Sequence, residues 1–210
     1  MADGYVNLGH AESLSGEFRA GLSEIQHGLA LLQSTIRKDA PADKDVLVQL
    51  GTAFIFEGEA TEGLGDEPRA LQSYEQAVAT FSSPAFANRH ELRLMNANAL
   101  AKVAGCQARL GHYETADDSY RRALATVDVR PDSSSISVRA EYTLISIYTG
   151  LGDVALRSAE RPDAGKTRSC EWYQRANELW SKLPVRNSVS PVGSKVPEFE
   201  TVSDKLANCK

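Results

Sequence analysis

Four times along this chain a helical stretch carries a small residue, a large one four positions on, and a small one three beyond that. The sets are Gly21–Ile25–Gly28, Ala70–Tyr74–Ala77, Ala116–Tyr120–Ala123 and Ser169–Tyr173–Ala176. Spacings of four and seven place all three residues on one helix face. The small residues let a second helix approach closely, and the large one fills the space between the two. A helix built this way needs a neighbour to bury its face. Short glycine turns precede three of the four stripes, at Gly16, Leu64-Gly65-Asp66 and Leu110-Gly111-His112. The predicted unit is therefore a helix–turn–helix, repeated.

The repeats fall at roughly residues 2–34, 43–82, 86–128 and 134–183, within an array over 1–183. In the first, Leu22, Ile25, Leu29 and Leu32 form an amphipathic set, with Gly21 and Gly28 as close-packing sites. Pro41 and Asp43 are expected to end one helix and start the next. The stretch EATEGLGDEP in the second repeat reads as an insertion at one edge of the stack. In the fourth, the first helix is expected to end at Gly150-Leu151-Gly152, followed by a longer insertion through Arg161-Pro162-Asp163-Ala164-Gly165. Residues 184–197 hold three prolines and read as a loop. Residues 198–210 read as a capping helix with Phe199, Val202, Leu206 and Cys209 on one face. The pattern resembles the tetratricopeptide (TPR) repeat. The expected fold is all-α, a TPR-like α-solenoid of about four helix–turn–helix repeats with a C-terminal capping helix.

A second resemblance is narrower. Leu64, Gly65, Asp66, Ala70, Leu71, Ser73, Tyr74 and Ala77 are similar to the TPR segments that follow the kinase domain in many bacterial serine/threonine protein kinases. So are Gly150-Leu151-Gly152-Asp153, Trp172-Tyr173-Gln174-Arg175-Ala176 and the closing Ala207-Asn208-Cys209. The likeness covers about residues 40–210. It implies a regulatory or sensing segment and no kinase chemistry. The chain has no glycine-rich loop with a strand lysine, no His-Arg-Asp loop and no Asp-Phe-Gly.

Composition narrows the function classes. A hydrophobic content of 42% is that of a folded protein, and a net charge of −5 gives no reason to expect nucleic acid. No apolar run is long enough to span a membrane, and Met1-Ala2-Asp3-Gly4-Tyr5 runs into a helical pattern rather than a signal peptide. A free chain is expected in the cytoplasm; a segment of a membrane-anchored kinase would lie outside it. Cys106 is expected to be a buried small residue. Cys170 and Cys209 meet only if the last helix folds back, and reduced thiols are the favoured expectation.

Catalytic and cofactor signatures are not expected to hold. Ala164-Gly165-Lys166-Thr167 lacks the leading glycine and the strand of a phosphate loop, and the Gly150-Leu151-Gly152 run follows a helix instead of a strand. His10, His27, His90 and His112 have no paired ligand spacing, so no metal is expected. What remains is surface. In TPR arrays the first helix of each repeat lines a concave groove. That implies a lining of Asn7, His10 and Ser13, then Gln49, Thr52 and Phe56, then Lys102, Gly105 and Arg109, then Arg139, Thr143 and Ser146. Lys102, Arg109 and Arg139 would make one side basic, suited to a peptide or partner domain with an acidic group. Val6 and His10 replace the lysine and asparagine of the chaperone-binding clamp. The expected function is non-catalytic protein binding. The alternative is self-assembly by stacking of end repeats, with a homodimer as its simplest form.

Overall fold

The computed structural model describes residues 1–36, 43–86, 89–127, 138–158, 162–183 and 197–209. All the regular structure among them is helical: α1 (Ala2–Leu14), α2 (Phe18–Thr35), α3 (Lys44–Gly63), α4 (Glu67–Phe81), α5 (His90–Arg109), α6 (Tyr113–Thr126), α7 (Val138–Ser158), α8 (Pro162–Lys182) and α9 (Pro197–Ala207), with one 3-10 turn at Pro84–Phe86. The helices pack as successive hairpins, α1 on α2, α3 on α4, α5 on α6 and α7 on α8. The second helix of each hairpin touches the first helix of the next, and α9 lies on α8. The architecture is all-α and solenoid-like.

Local chemistry sets the hairpins. Gly16, Gly65 and Gly111 have φ of 88°, 79° and 83°. That left-handed backbone is open to glycine at no steric cost. Each closes the same pair of hydrogen bonds. Gly65 N–H donates to Glu62 O at 2.8 Å and Asp66 N–H to Thr61 O at 3.1 Å; Gly111 and His112 do the same to Ala108 O (3.1 Å) and Gln107 O (2.8 Å). These are the bonds of a Schellman cap, which satisfies carbonyls the helix end would leave orphaned. Asp66 then caps α4 by accepting from Arg69 N–H at 3.3 Å, and Asp43 caps α3 by accepting from Asp45 N–H at 2.8 Å. Pro41, expected to end the previous helix, lies outside the described residues, as does most of the expected loop at 184–197.

Three boundary expectations are corrected. Glu59 to Gly63 are the last turn of α3, so EATEGLGDEP contains only a three-residue turn, Leu64 to Asp66. The extra length of this hairpin is helix. α7 does not stop at Gly150-Leu151-Gly152 but runs to Ser158, and α8 begins at Pro162, leaving no long insertion. Gly150 and Gly152 are packing sites inside a helix. The Tyr120 ring lies against Gly150 and the Tyr173 ring against Gly152, in space a methyl group would occupy. Tyr74 sits on Gly58 and Phe81 on Gly51 in the same way.

The stripes form the core. Ile25, Ala70, Tyr74, Ala77, Ala116, Ala123 and Ala176 are buried, with Tyr120 and Tyr173 nearly so. Burial of each large side chain contributes about 1.5–3 kcal/mol. Two aromatics join hairpins to one another. Tyr120 of α6 crosses to α7, and Phe18 of α2 rests on Gly63 of α3.

Candidate functional site

The first helices of successive hairpins touch directly: α1 meets α3, and α5 meets α7. Between α3 and α5 the link is ionic. The four helices therefore make one continuous layer, and most polar side chains assigned to a groove lie on it.

At its centre is a charge network anchored on α3. His10 of α1 stacks on Phe56 with ring centroids 3.6 Å apart and planes 6° from parallel. Its Nδ1 is 3.8 Å from Glu59. Lys102 of α5 pairs with the other oxygen of Glu59 at 2.8 Å. One turn along, Glu62 accepts from the Tyr74 hydroxyl at 2.8 Å and pairs with Arg109 at 2.9 Å. Arg109 also donates from Nε to Glu67 at 2.8 Å and from Nη2 to the Cys106 sulfur at 3.2 Å.

This arrangement sets the protonation states. Burial lowers the pKa of His10, Glu59 opposes the shift, and Lys102 reinforces it. The ring is neutral at pH 7. Burial pushes the Cys106 thiol up to about 12, against the nearby Arg109 charge. Burial opposes the Arg109 charge, but the hydrogen bond to Glu67 and the Glu62 carboxylate outweigh it, so its pKa rises. The Tyr74 hydroxyl is held protonated by burial and by the Glu62 charge.

The structure brings His10, Phe56, Lys102 and Arg109 together, but not as a free basic lining. Lys102 and Arg109 are neutralised by Glu59, Glu62 and Glu67. Asn7 and Arg139 are exposed, and Gln49, Thr52, Phe56 and Ser146 half-buried. Thr143 is 6% exposed and donates to Arg139 O at 2.9 Å, so it is a packing residue. Ser13 is likewise buried between α1 and α2, donating to Gly9 O at 2.8 Å. Gly105 borders a recess of about 150 Å³ between α5, α6 and α7, walled by Tyr113, Tyr120 and Gly150 and flanked by Arg109, Asp153 and Arg157. Among the described residues, neither the Arg139 nor the Arg157 side chain enters an ion pair. Glu59, Glu62, Glu67 and Arg157 carry no site signal in the sequence: the three acids fall in a stretch that reads as an insertion, and the one available clue is that Glu59 and Glu62 are one helical turn apart.

The other end of the layer carries a second cluster. Asp153 of α7 accepts from the Tyr173 hydroxyl at 2.6 Å and from Lys205 of α9 at 2.5 Å. Cys170 of α8 and Cys209 form a disulfide, with Cα atoms 5.7 Å apart. The expectation of reduced thiols is thereby corrected, because α9 does fold back on α8. Cys106 is free and buried. Among the described residues, no group of three His, Cys, Asp or Glu side chains is placed to hold a metal ion. No described helix is long and apolar enough to cross a membrane. No protein-family model matches the chain, and a search of curated proteins finds no match.

Proposed function

We propose that the protein is a non-catalytic, TPR-like interaction module that binds a peptide or partner domain along the layer formed by α1, α3, α5 and α7. The observation that carries this reading is the layer itself. Its central charges are tied to one another, while Asn7, Arg139 and Arg157 are exposed along it and Arg157 flanks a recess sized for one side chain. Pinned side chains lose little further freedom on binding, which favours recognition of an extended segment. Arg139 and Arg157 give the segment an acidic preference. The Cys106 thiol stays protonated at neutral pH, and the pKa of Tyr173 is raised by burial and by its bond to Asp153. The resemblance of the Leu64–Ala77 and Trp172–Ala176 runs to kinase-associated repeats supports reading the module as the regulatory or sensing part of a bacterial serine/threonine kinase-like protein.

The test is selection of peptides from a random display library on immobilised protein, followed by fluorescence anisotropy. Enriched peptides carry a carboxylate and lose at least about tenfold in affinity, or 1.4 kcal/mol, against Arg139→Glu/Arg157→Glu. Arg109→Glu is unsuitable as a probe, since it would set three carboxylates together and act on stability. Failure to enrich any peptide argues against the reading, and binding indifferent to the double variant places the site elsewhere.

A further inference from the structure

In the last described hairpin, α9 covers one face of α7 and α8 with one side of a single helix. Val202 is fully buried and Leu206 partly, packed with Ile145, Ala176, Trp180 and Leu183. Between them Lys205 reaches Asp153 at 2.5 Å. Just beyond the helix, Cys209 is bonded to Cys170. Apolar contact, ion pair and covalent bond thus all join α9 to α7 and α8. A surface that recognises a helix in this way receives the same helix from a second copy with the same contacts. What keeps α9 on its own chain is proximity, reinforced by the disulfide.

We propose that this end face is a self-recognition surface gated by the disulfide. When a dithiol reduces the Cys170–Cys209 bond, two chains exchange their α9 helices into a two-fold dimer, and reoxidation fixes the exchange. In the reducing step the dithiol gives up two hydrogens and becomes a cyclic disulfide, while the two cysteine sulfurs take one hydrogen each. A small-molecule disulfide reverses this, accepting the two hydrogens as it splits into two thiols. The cis arrangement wins in dilute solution and the exchanged one at high protein concentration. Cys106 is fully buried and does not compete for either partner.

Two differently tagged single variants test this. The Cys170→Ser chain supplies α9 with Cys209, and the Cys209→Ser chain keeps Cys170. They are mixed with dithiothreitol at high concentration and moved into oxidised glutathione. The expected product is a covalent heterodimer joined by Cys209 of one chain and Cys170 of the other, identified by mass spectrometry of the linked peptides. Val202→Asp in the Cys170→Ser chain should reduce its yield at least about tenfold. Lys205→Glu, which leaves the apolar contact intact and sets a like charge against Asp153, should reduce it severalfold. Far-UV circular dichroism checks that both chains remain helical; if Val202→Asp does not, Lys205→Glu decides. Absence of the heterodimer overturns the proposal. So does a heterodimer whose yield neither substitution changes, which would be chance collision of exposed thiols.

Discussion

Glycine has two opposite uses here, and each predicts a different mutant. Gly150 is helical and lies against the hydroxyl end of the buried Tyr120 ring, in the space an added methyl group would take. Gly105 is helical too, but its nearest neighbours stand 3.5 Å and 3.6 Å from where a Cβ would be. Gly150→Ala should lower unfolding stability by about 1–3 kcal/mol through overpacking. Gly105→Ala should be neutral or stabilise by up to about 1 kcal/mol through helix propensity. Urea unfolding of the two variants side by side checks this, and equal effects would refute the packing argument. His10 makes a second prediction at this scale. Its folded pKa lies below its ordinary value of 6.5, so at mildly acid pH the unfolded chain binds more protons than the folded one. The stabilising contribution is complete above pH 6.5 and is lost as pH falls below it. His10→Gln should flatten the dependence of the urea midpoint on pH between 7.5 and 5.5 relative to wild type.

At the scale of the element, the turns make the hairpins separable in their energetics. Gly111 sits at φ 83° with open space around it, so the penalty of Gly111→Ala is backbone strain alone. It should amount to about 1–2 kcal/mol. Gly111→Asn should recover part of the loss, because asparagine tolerates this region better than other residues. Differential scanning calorimetry of the pair checks both the loss and the recovery. Hairpin turns are legible in the sequence because their signal is local: a glycine at the turn, preceded by leucine at Leu64-Gly65 and Leu110-Gly111, with Asp66 as a cap in the first of these. The end of α7 departs from its local signal for the same reason. Gly150-Leu151-Gly152 looks like a stop signal, and only the Tyr120 and Tyr173 rings arriving from other helices show it to be a packing surface.

For the whole molecule, the question is what makes four hairpins behave as one. Arg109 joins the second hairpin to the third through Glu62 and Glu67, the latter 42 positions away in the chain. In a stacked array, cooperativity depends on such interface contacts. Arg109→Met keeps the side-chain stem and removes the ion pairs. It should cost about 1 kcal/mol and broaden the urea transition, with a smaller m-value, as the hairpins begin to unfold separately. A variant with lower stability but an unchanged m-value would show that the coupling lies in the apolar contacts instead.

Sequence by itself determined the repeated helical hairpins, the small–large–small faces and the buried stripe of Ser169, Tyr173, Ala176 and Trp180. Each rests on periodicity within one helix or on a turn of a few residues, and such interactions do not depend on what lies far along the chain. Tertiary structure alone decided which charges are free and which cysteines meet. Lys102 and Arg109 are basic in the sequence and neutralised in the fold, because the carboxylates facing them belong to another hairpin. Cys170 and Cys209 are 39 positions apart, and only the return of α9 onto α8 brings their sulfurs within bonding distance. Pairing across such separations is set by how the helices stack, and no local pattern in the chain encodes it.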